Sequence, residues 1–306
     1  MSSSFADSPP ESPTLKFFSY DEFCASYLPQ RFSLPESIVF YMAKNPPLTG
    51  VHRRMLKSCK YFFIKNPIIH FHCLQYDDKN GWKTCISRSC LYQGKEKYRK
   101  INLKLDKIQS KIFVFFALNI SSSNPTFAAS LIPKMYTNKV HCVEFSRQKM
   151  LFDDFLFFSK KAIQCYVRYS NVLYKNGNEV PCEVILANCP KLRYFVHSAP
   201  NNCYNAVNVA ELLKVPHFKK LIHFSVLEIF ESFDIEKFFG YLKKNIRTNV
   251  VIGFNAPFSE EYKKRLQAVV DEIIDAGSSR TYRTPCIMFD EQLRQKELIA
   301  AFKKSF

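Results

Sequence analysis

Leu192-Arg-Tyr-Phe-Val-His-Ser198, Leu221-Ile-His-Phe-Ser-Val-Leu227 and Val250-Val-Ile-Gly-Phe-Asn-Ala256 are apolar bursts of strand length, and each begins twenty-nine residues after the one before. Weaker bursts at Ile112 to Ile120, His141 to Ser146 and Ile163 to Tyr169 precede them at uneven intervals, and Cys286 to Phe289 closes the series. Helical patterning fills the gaps: Phe152 to Lys161, Pro181 to Asn188, Val207 to Lys214, Asp234 to Asn245 and Ser259 to Ala276. Alternating strands and helices admit either an open doubly wound α/β domain or a horseshoe whose units stack only on their neighbours. A doubly wound domain has no reason to hold a period, so a near-constant interval favours a stacked α/β array with a curved parallel sheet.

An interval of twenty-nine lies at the upper end of the leucine-rich-repeat range of roughly 20–29 residues. Val184-Ile-Leu-Ala-Asn-Cys-Pro-Lys-Leu192-Arg-Tyr-Phe195 resembles the passage from helix to strand in such repeats, through a C-P-x-L turn, and Leu212 to Leu221 echoes it. The array is irregular, and its glycine-poor turns depart from the asparagine ladder of strict members. If Leu192, Tyr194 and Val196 face one side of their strand, Arg193, Phe195 and His197 face the other. Repeat arrays commonly bind on the concave strand face, so the substrate surface is expected there, with its residues unassigned.

The N-terminal part reads differently. Residues 1–18 are Ser/Pro-rich without periodicity, as in a disordered tail, with Ser8-Pro9 and Ser12-Pro13 as commonplace proline-directed dipeptides. Ser19-Tyr-Asp-Glu22 has the spacing of a capping box, with Phe23 and Tyr27 following on one helical face. Ser33-Leu34-Pro35-Glu36 repeats the box with proline in the first turn, and Leu34, Ile38 and Met42 form a stripe behind it. Pro46-Pro47 ends that helix; Thr49 caps a third, with Val51, Met55, Cys59 and Phe62 or Phe63 as its apolar face, stopped by Asn66-Pro67. The expected division is therefore a tail at 1–18, a helical module at 19–68 and the array at 69–306.

Leu34 to Phe63 resembles an F-box: an L-P opening, an apolar helix, a proline-containing break, and a second amphipathic stretch closing in Cys59-Lys60-Tyr61-Phe62. Phe62 stands where tryptophan is usual. The chain as a whole is similar to the divergent, lineage-expanded F-box-like families of nematodes, which pair such a module with irregular repeats. The resemblance implies a substrate-recognition adaptor of a cullin-RING ubiquitin ligase, with no chemistry of its own. Its module would dock on a Skp-family linker through Leu34, Pro35, Ile38, Met42, Val51, Met55, Cys59 and Phe62, while the array holds a protein substrate. Helix-in-groove docking needs such an apolar face on short helices, although amphipathic stripes more often form a module's own core.

Composition bounds the alternatives. Of 306 residues, 47% are hydrophobic, which supplies an ample core, and seven glycines leave little material for phosphate-cradling loops. Eleven cysteines without regular spacing, and a start lacking a basic cap and apolar stretch, point to cytosol or nucleus. The apolar run Ile112 to Leu118 is far below the roughly 20 residues needed to span a bilayer, so no membrane segment is expected. The net charge of +17 favours an acidic partner, and it keeps open two alternatives: a basic nucleic-acid-binding protein, or a scaffold that no longer docks a ligase. The Lys95 to Lys111 run alternates with Ile101, Leu103 and Leu105, as on a half-buried strand, which disfavours nucleic acid.

The sequence contains no G-x-S-x-G, Walker loop, H-E-x-x-H or C-x-x-C, and Asp153-Asp154 and Asp271-Glu272 read as solvated helix faces. His70-Phe-His72-Cys73 is the one tight group of metal-capable residues, and alternation places its histidines on one strand face. No second pair stands at finger-like spacing, so neither metal nor cofactor is expected; Cys85 and Cys90 enter only if the fold brings them close.

Overall fold

The computed structural model describes residues 19–45, 49–85, 101–137, 139–200, 203, 205, 207–254 and 258–305. The expected tail, the Pro46-Pro47 break, Cys90 and residues 95–100 of the Lys95 to Lys111 run lie outside these residues. The protein is mixed α/β, with eleven α-helices and twelve strands among the described residues. It divides into two compact units, one reaching Phe116 and including Lys134–Thr137, the other comprising the rest.

The first unit holds α1 (Tyr20–Ala25), α2 (Glu36–Lys44), α3 (Thr49–Ser58), α4 (Lys60–Lys65), β1 (Ile68–Asp77), β2 (Gly81–Thr84), β3 (Ile101–Leu103) and the opening of β4 (Lys111–Ser121). Ser19 forms the expected box: its hydroxyl accepts the Glu22 N–H while the Glu22 carboxylate accepts the Ser19 N–H at 2.8 Å. Ser33 does not cap. Leu34 precedes a proline and is pushed out of the helical region, so α2 starts only after Pro35, its N-cap. The expected third helix breaks at Cys59, whose backbone is extended (φ −160°, ψ 155°), into α3 and α4. Val39, Ala43, Met55, Tyr61 and Phe62 close over one another as the helical core.

β1, β2 and β3 are antiparallel. Asp77 to Gly81 makes the first turn, with Asp77 Oδ1 accepting the Asn80 N–H at 2.7 Å and Gly81 in the left-handed region at φ +66°. Ile101 and Leu103 are buried on β3 as the alternation predicts, but the strand stops there, and Leu105 is buried from a short 3-10 turn at Leu105–Lys107.

The second unit continues β4 and adds α5 (Phe127–Ser130), β5 (Cys142–Ser146), β6 (Lys149–Leu151), α6 (Phe152–Ser159), β7 (Gln164–Arg168), β8 (Asn171–Leu173), α7 (Cys182–Asn188) and β9 (Tyr194–Ser198). Then come α8 (Val209–Lys214), β10 (His223–Leu227), α9 (Ile235–Leu242), β11 (Asn249–Phe254), α10 (Glu260–Asp275), β12 (Cys286–Phe289) and α11 (Gln295–Lys304). Three helices start on side-chain caps, Asn208, Asp234 and Ser259, each accepting the N–H three residues on.

The large parallel sheet runs β4-β5-β7-β9-β10-β11-β12, in chain order without a reversal. A doubly wound sheet reverses its order at a switch point; this one does not. With right-handed crossovers, each unit then lays its helix on the same face. Phe145, Phe224 and Phe254 point to that face, where they meet Phe158 of α6, Phe238 of α9 and Tyr262 of α10. All are buried.

The period is less regular than the bursts suggest. Residues paired across successive strands, from Ala117–Cys142 through Cys142–Gln164, Gln164–Tyr194, Tyr194–His223 and His223–Asn249 to Val251–Cys286, are 25, 22, 30, 29, 26 and 35 residues apart. Twenty-nine holds once. Val250 pairs with Phe224, not with Leu221, because Leu221 sits in the turn before its strand.

Glycine is replaced at the strand ends. Arg147, Tyr169 and Glu228 directly follow β5, β7 and β10 with φ between 50° and 59°, a conformation that costs an L-residue roughly 1 kcal/mol. Tyr169→Gly is expected to raise stability by about that amount, read as an increased urea midpoint. Beside the first of these turns, the Gln148 side chain is buried and fully engaged. Its Nε2 donates to the Ser122 and Asn124 carbonyls at 3.1 Å, and its Oε1 accepts the Ala128 N–H at 2.9 Å. Gln148→Leu should lower stability by about 2–3 kcal/mol in the same assay, since those backbone groups would be left buried without partners.

Candidate functional site

In the first unit, α2 presents more apolar surface than it buries. Six apolar residues in a row, Ile38 to Ala43, exceed what one face of a helix can hide, and Val39 and Ala43 alone turn inward. Leu34, Ile38 and Tyr41 are 50%, 49% and 66% exposed along the neighbouring stripe, joined by Met42. Phe40 emerges on the other flank between Lys44 and Lys65, whose ammonium groups lie 5.7 and 6.0 Å from its ring centre. Leu28 and Phe32, in the segment leading to α2, are exposed too.

Of the expected docking residues, Leu34, Pro35, Ile38 and Met42 therefore share an accessible face. Val51 and Cys59 are half-buried against the helical core. Met55 and Phe62 are corrections: each is 8% exposed and belongs to that core. The extended backbone at Cys59 turns α4 so that Phe62 packs inward beside Tyr61 rather than extending the α3 stripe. Tyr41, Phe40, Leu28 and Phe32 were missed, although the unbroken apolar run in α2 signalled surplus surface.

In the second unit, the sheet face away from the aromatic core carries Asn119, Glu144, Tyr166, Val196 and Ser225 in one cross-strand row. Tyr194 and Val196 lie on this face; Phe195 and His197 are sealed on the other, as alternation requires. Glu144 is bridged on both sides, accepting from Asn119 Nδ2 at 2.9 Å and from Arg168 Nε at 3.1 Å. Arg168 is exposed and lies over the Tyr166 ring at 5.5 Å. Burial, and then the Arg168 charge, hold His223 below the usual histidine range. The arrangement offers one exposed cation with aromatic and hydrogen-bonding neighbours, which suits recognition of a polar or acidic segment.

Three of the four adjacent carboxylates are in surface ion pairs. Asp153 faces Lys175, Asp271 faces Arg294, and Glu272 faces Lys243. Burial of the thiol pushes Cys165 and Cys182 well above the usual range, leaving them protonated at neutral pH, the inert form.

His70 and His72 take separate partners. His70 Nε2 meets His52 Nδ1 of α3 at 2.8 Å, and burial, with the His52 and Arg53 charges, lowers His70 to about 4. His72 stacks on Phe116 with ring centres 5.0 Å apart. The β1–β2 hairpin does bring Cys85 to Cys73: their sulfurs are 2.9 Å apart, and Cys85 Sγ lies 4.0 Å from His72 Nδ1. Those three ligand atoms all lie within 4.8 Å of one another. No helix among the described residues is long and apolar enough to cross a membrane. Comparison of the chain with protein families, with curated proteins and with solved structures gives no match.

Proposed function

We propose that the chain is a non-enzymatic adaptor, in which the α2 face docks a Skp-family linker of a cullin-RING ubiquitin ligase and a leucine-rich-repeat-like array holds a protein substrate. The observation that carries the reading is the exposed stripe Leu34, Ile38 and Tyr41 beside Met42, on a helix already anchored by Val39 and Ala43. A helix of nine residues is long enough to be held on one edge and to dock on another. Contiguous exposed apolar surface of this kind marks an interaction site more often than it decorates a monomer.

The unreversed strand order and the single helix-covered face support a stacked array over a doubly wound domain. Substrate is then expected on the opposite face, around the exposed Arg168 and the half-buried Tyr194, and the charge of +17 favours an acidic segment there. Ubiquitin transfer would take place on the ligase, with this chain supplying proximity.

Affinity purification of the full chain from cells tests the reading. Recovery of a Skp-type linker is expected. Its absence, where a standard F-box control recovers it, contradicts ligase docking. Retardation of nucleic acid at low salt, lost steeply at physiological salt, would instead favour the basic nucleic-acid-binding alternative.

A further inference from the structure

From the hairpin geometry we infer that His72, Cys73 and Cys85 form a binding site for one zinc ion, which clamps β1 to β2. The register places Cys73 directly opposite Cys85, since Gln75 pairs with Lys83 in the same antiparallel ladder. Their sulfurs face each other at 2.9 Å, and His72 Nδ1 stands 4.0 Å from the Cys85 sulfur. Zinc bound at about 2.3 Å to sulfur and 2.0–2.1 Å to nitrogen holds its ligand atoms roughly 3.5–3.8 Å apart in a tetrahedron. The three ligand atoms, all within 4.8 Å of one another, reach that spacing by side-chain adjustments of about an ångström.

The surroundings suit the ion. Phe116 stacks on the His72 ring and Phe115 meets it edge-on at 4.9 Å, which fixes the direction of Nδ1. Thr84 Oγ1 donates to the Cys73 carbonyl at 2.6 Å and fixes the backbone carrying the sulfur. Cys73 and Cys85 are buried. Binding releases two thiol protons, so one Zn2+ and two thiolates leave no net charge in that interior, where an isolated ion would be costly. Thiolate and imidazole are the donors that select zinc over magnesium or calcium.

A cross-strand disulfide is the competing fate of the two thiols. It uses two of the three clustered groups, whereas a metal uses all three.

The test is made on the full chain, purified with reductant and without chelator. About one zinc per chain is expected by elemental analysis, and cobalt titrated into the metal-free protein should give a thiolate-to-cobalt charge-transfer band. Zinc should slow alkylation of Cys73 and Cys85 by about tenfold or more, read by peptide mass spectrometry, and leave Cys24 and Cys142 unchanged. Cys85→Ser and His72→Asn should lose the cobalt band, and Cys24→Ser should keep it. The protection experiment needs no variant and so remains decisive if a substitution unfolds the hairpin. Zinc far below one per chain with no cobalt band overturns the proposal, as does protection spread over other cysteines. Isolation of a Cys73–Cys85 disulfide peptide, with no metal uptake after reduction, overturns it in favour of the disulfide.

Discussion

Replacing Ile38 and Tyr41 together by aspartate is expected to weaken linker binding by about 100-fold or more while leaving the thermal midpoint of the chain nearly unchanged. Apolar anchors at the centre of an interface cost about 2 kcal/mol or more each when lost, and a buried aspartate adds its desolvation cost. Both side chains are about half exposed or more in the isolated chain, so the folded state loses little. Met55→Asp and Phe62→Asp are the contrasting pair. Those side chains lie in the helical core, and their substitution should unfold the module along with any binding. Titration calorimetry with purified linker, beside thermal melts, separates the two classes. Equal affinity for wild type and the Ile38/Tyr41 variant would show that the face has been misassigned.

Acid should destabilise the protein through His197 by about 3 kcal/mol between neutral pH and pH 4. Burial lowers this imidazole to about 4; the nearby Ser170 backbone favours its charged form slightly, yet neither ring nitrogen has a partner at hydrogen-bond geometry. Above its ordinary value of about 6.5, the ring is neutral in folded and unfolded chains alike, and its contribution is constant. Between there and 4 the unfolded chain takes up a proton that the folded one refuses, so stability falls as pH falls. His197→Leu should remove that part of the slope and stabilise the protein at neutral pH, since it replaces unpartnered polar atoms. Urea unfolding of both proteins from pH 7 to pH 4 isolates the term, because carboxylate titration is common to the two. Parallel profiles would mean that His197 is solvated or bonded in solution.

How far these features can be read from the chain depends on whether they are local. The helices α6, α7, α9 and α10 fall within a few residues of the positions that their caps and apolar spacing indicate, because Asp234 and Ser259 act on their own first turns. Strand positions are legible for the same reason. Register is not: it depends on how many residues each crossover consumes, and the coincidence of Leu192, Leu221 and Val250 disguised steps of 29 and 26 residues as a constant period. At the candidate docking face, Leu34, Ile38 and Met42 were readable from their spacing into α2 alone. The inward turn of Phe62 was not, since it follows from the extended Cys59 between two helices. The Cys73–Cys85 pairing was hidden by a sequence separation of 12, although Asn80-Gly81 between two strand-like runs is a hairpin signal that sets the two cysteines opposite each other.

Amide hydrogen exchange across the full chain, with and without saturating Skp-type linker, tests the adaptor reading most directly. Slower exchange in α2 and the residues leading into it, with the parallel sheet unaffected, is the predicted result. Unchanged exchange in residues 34–44, or protection confined to the sheet, would contradict it.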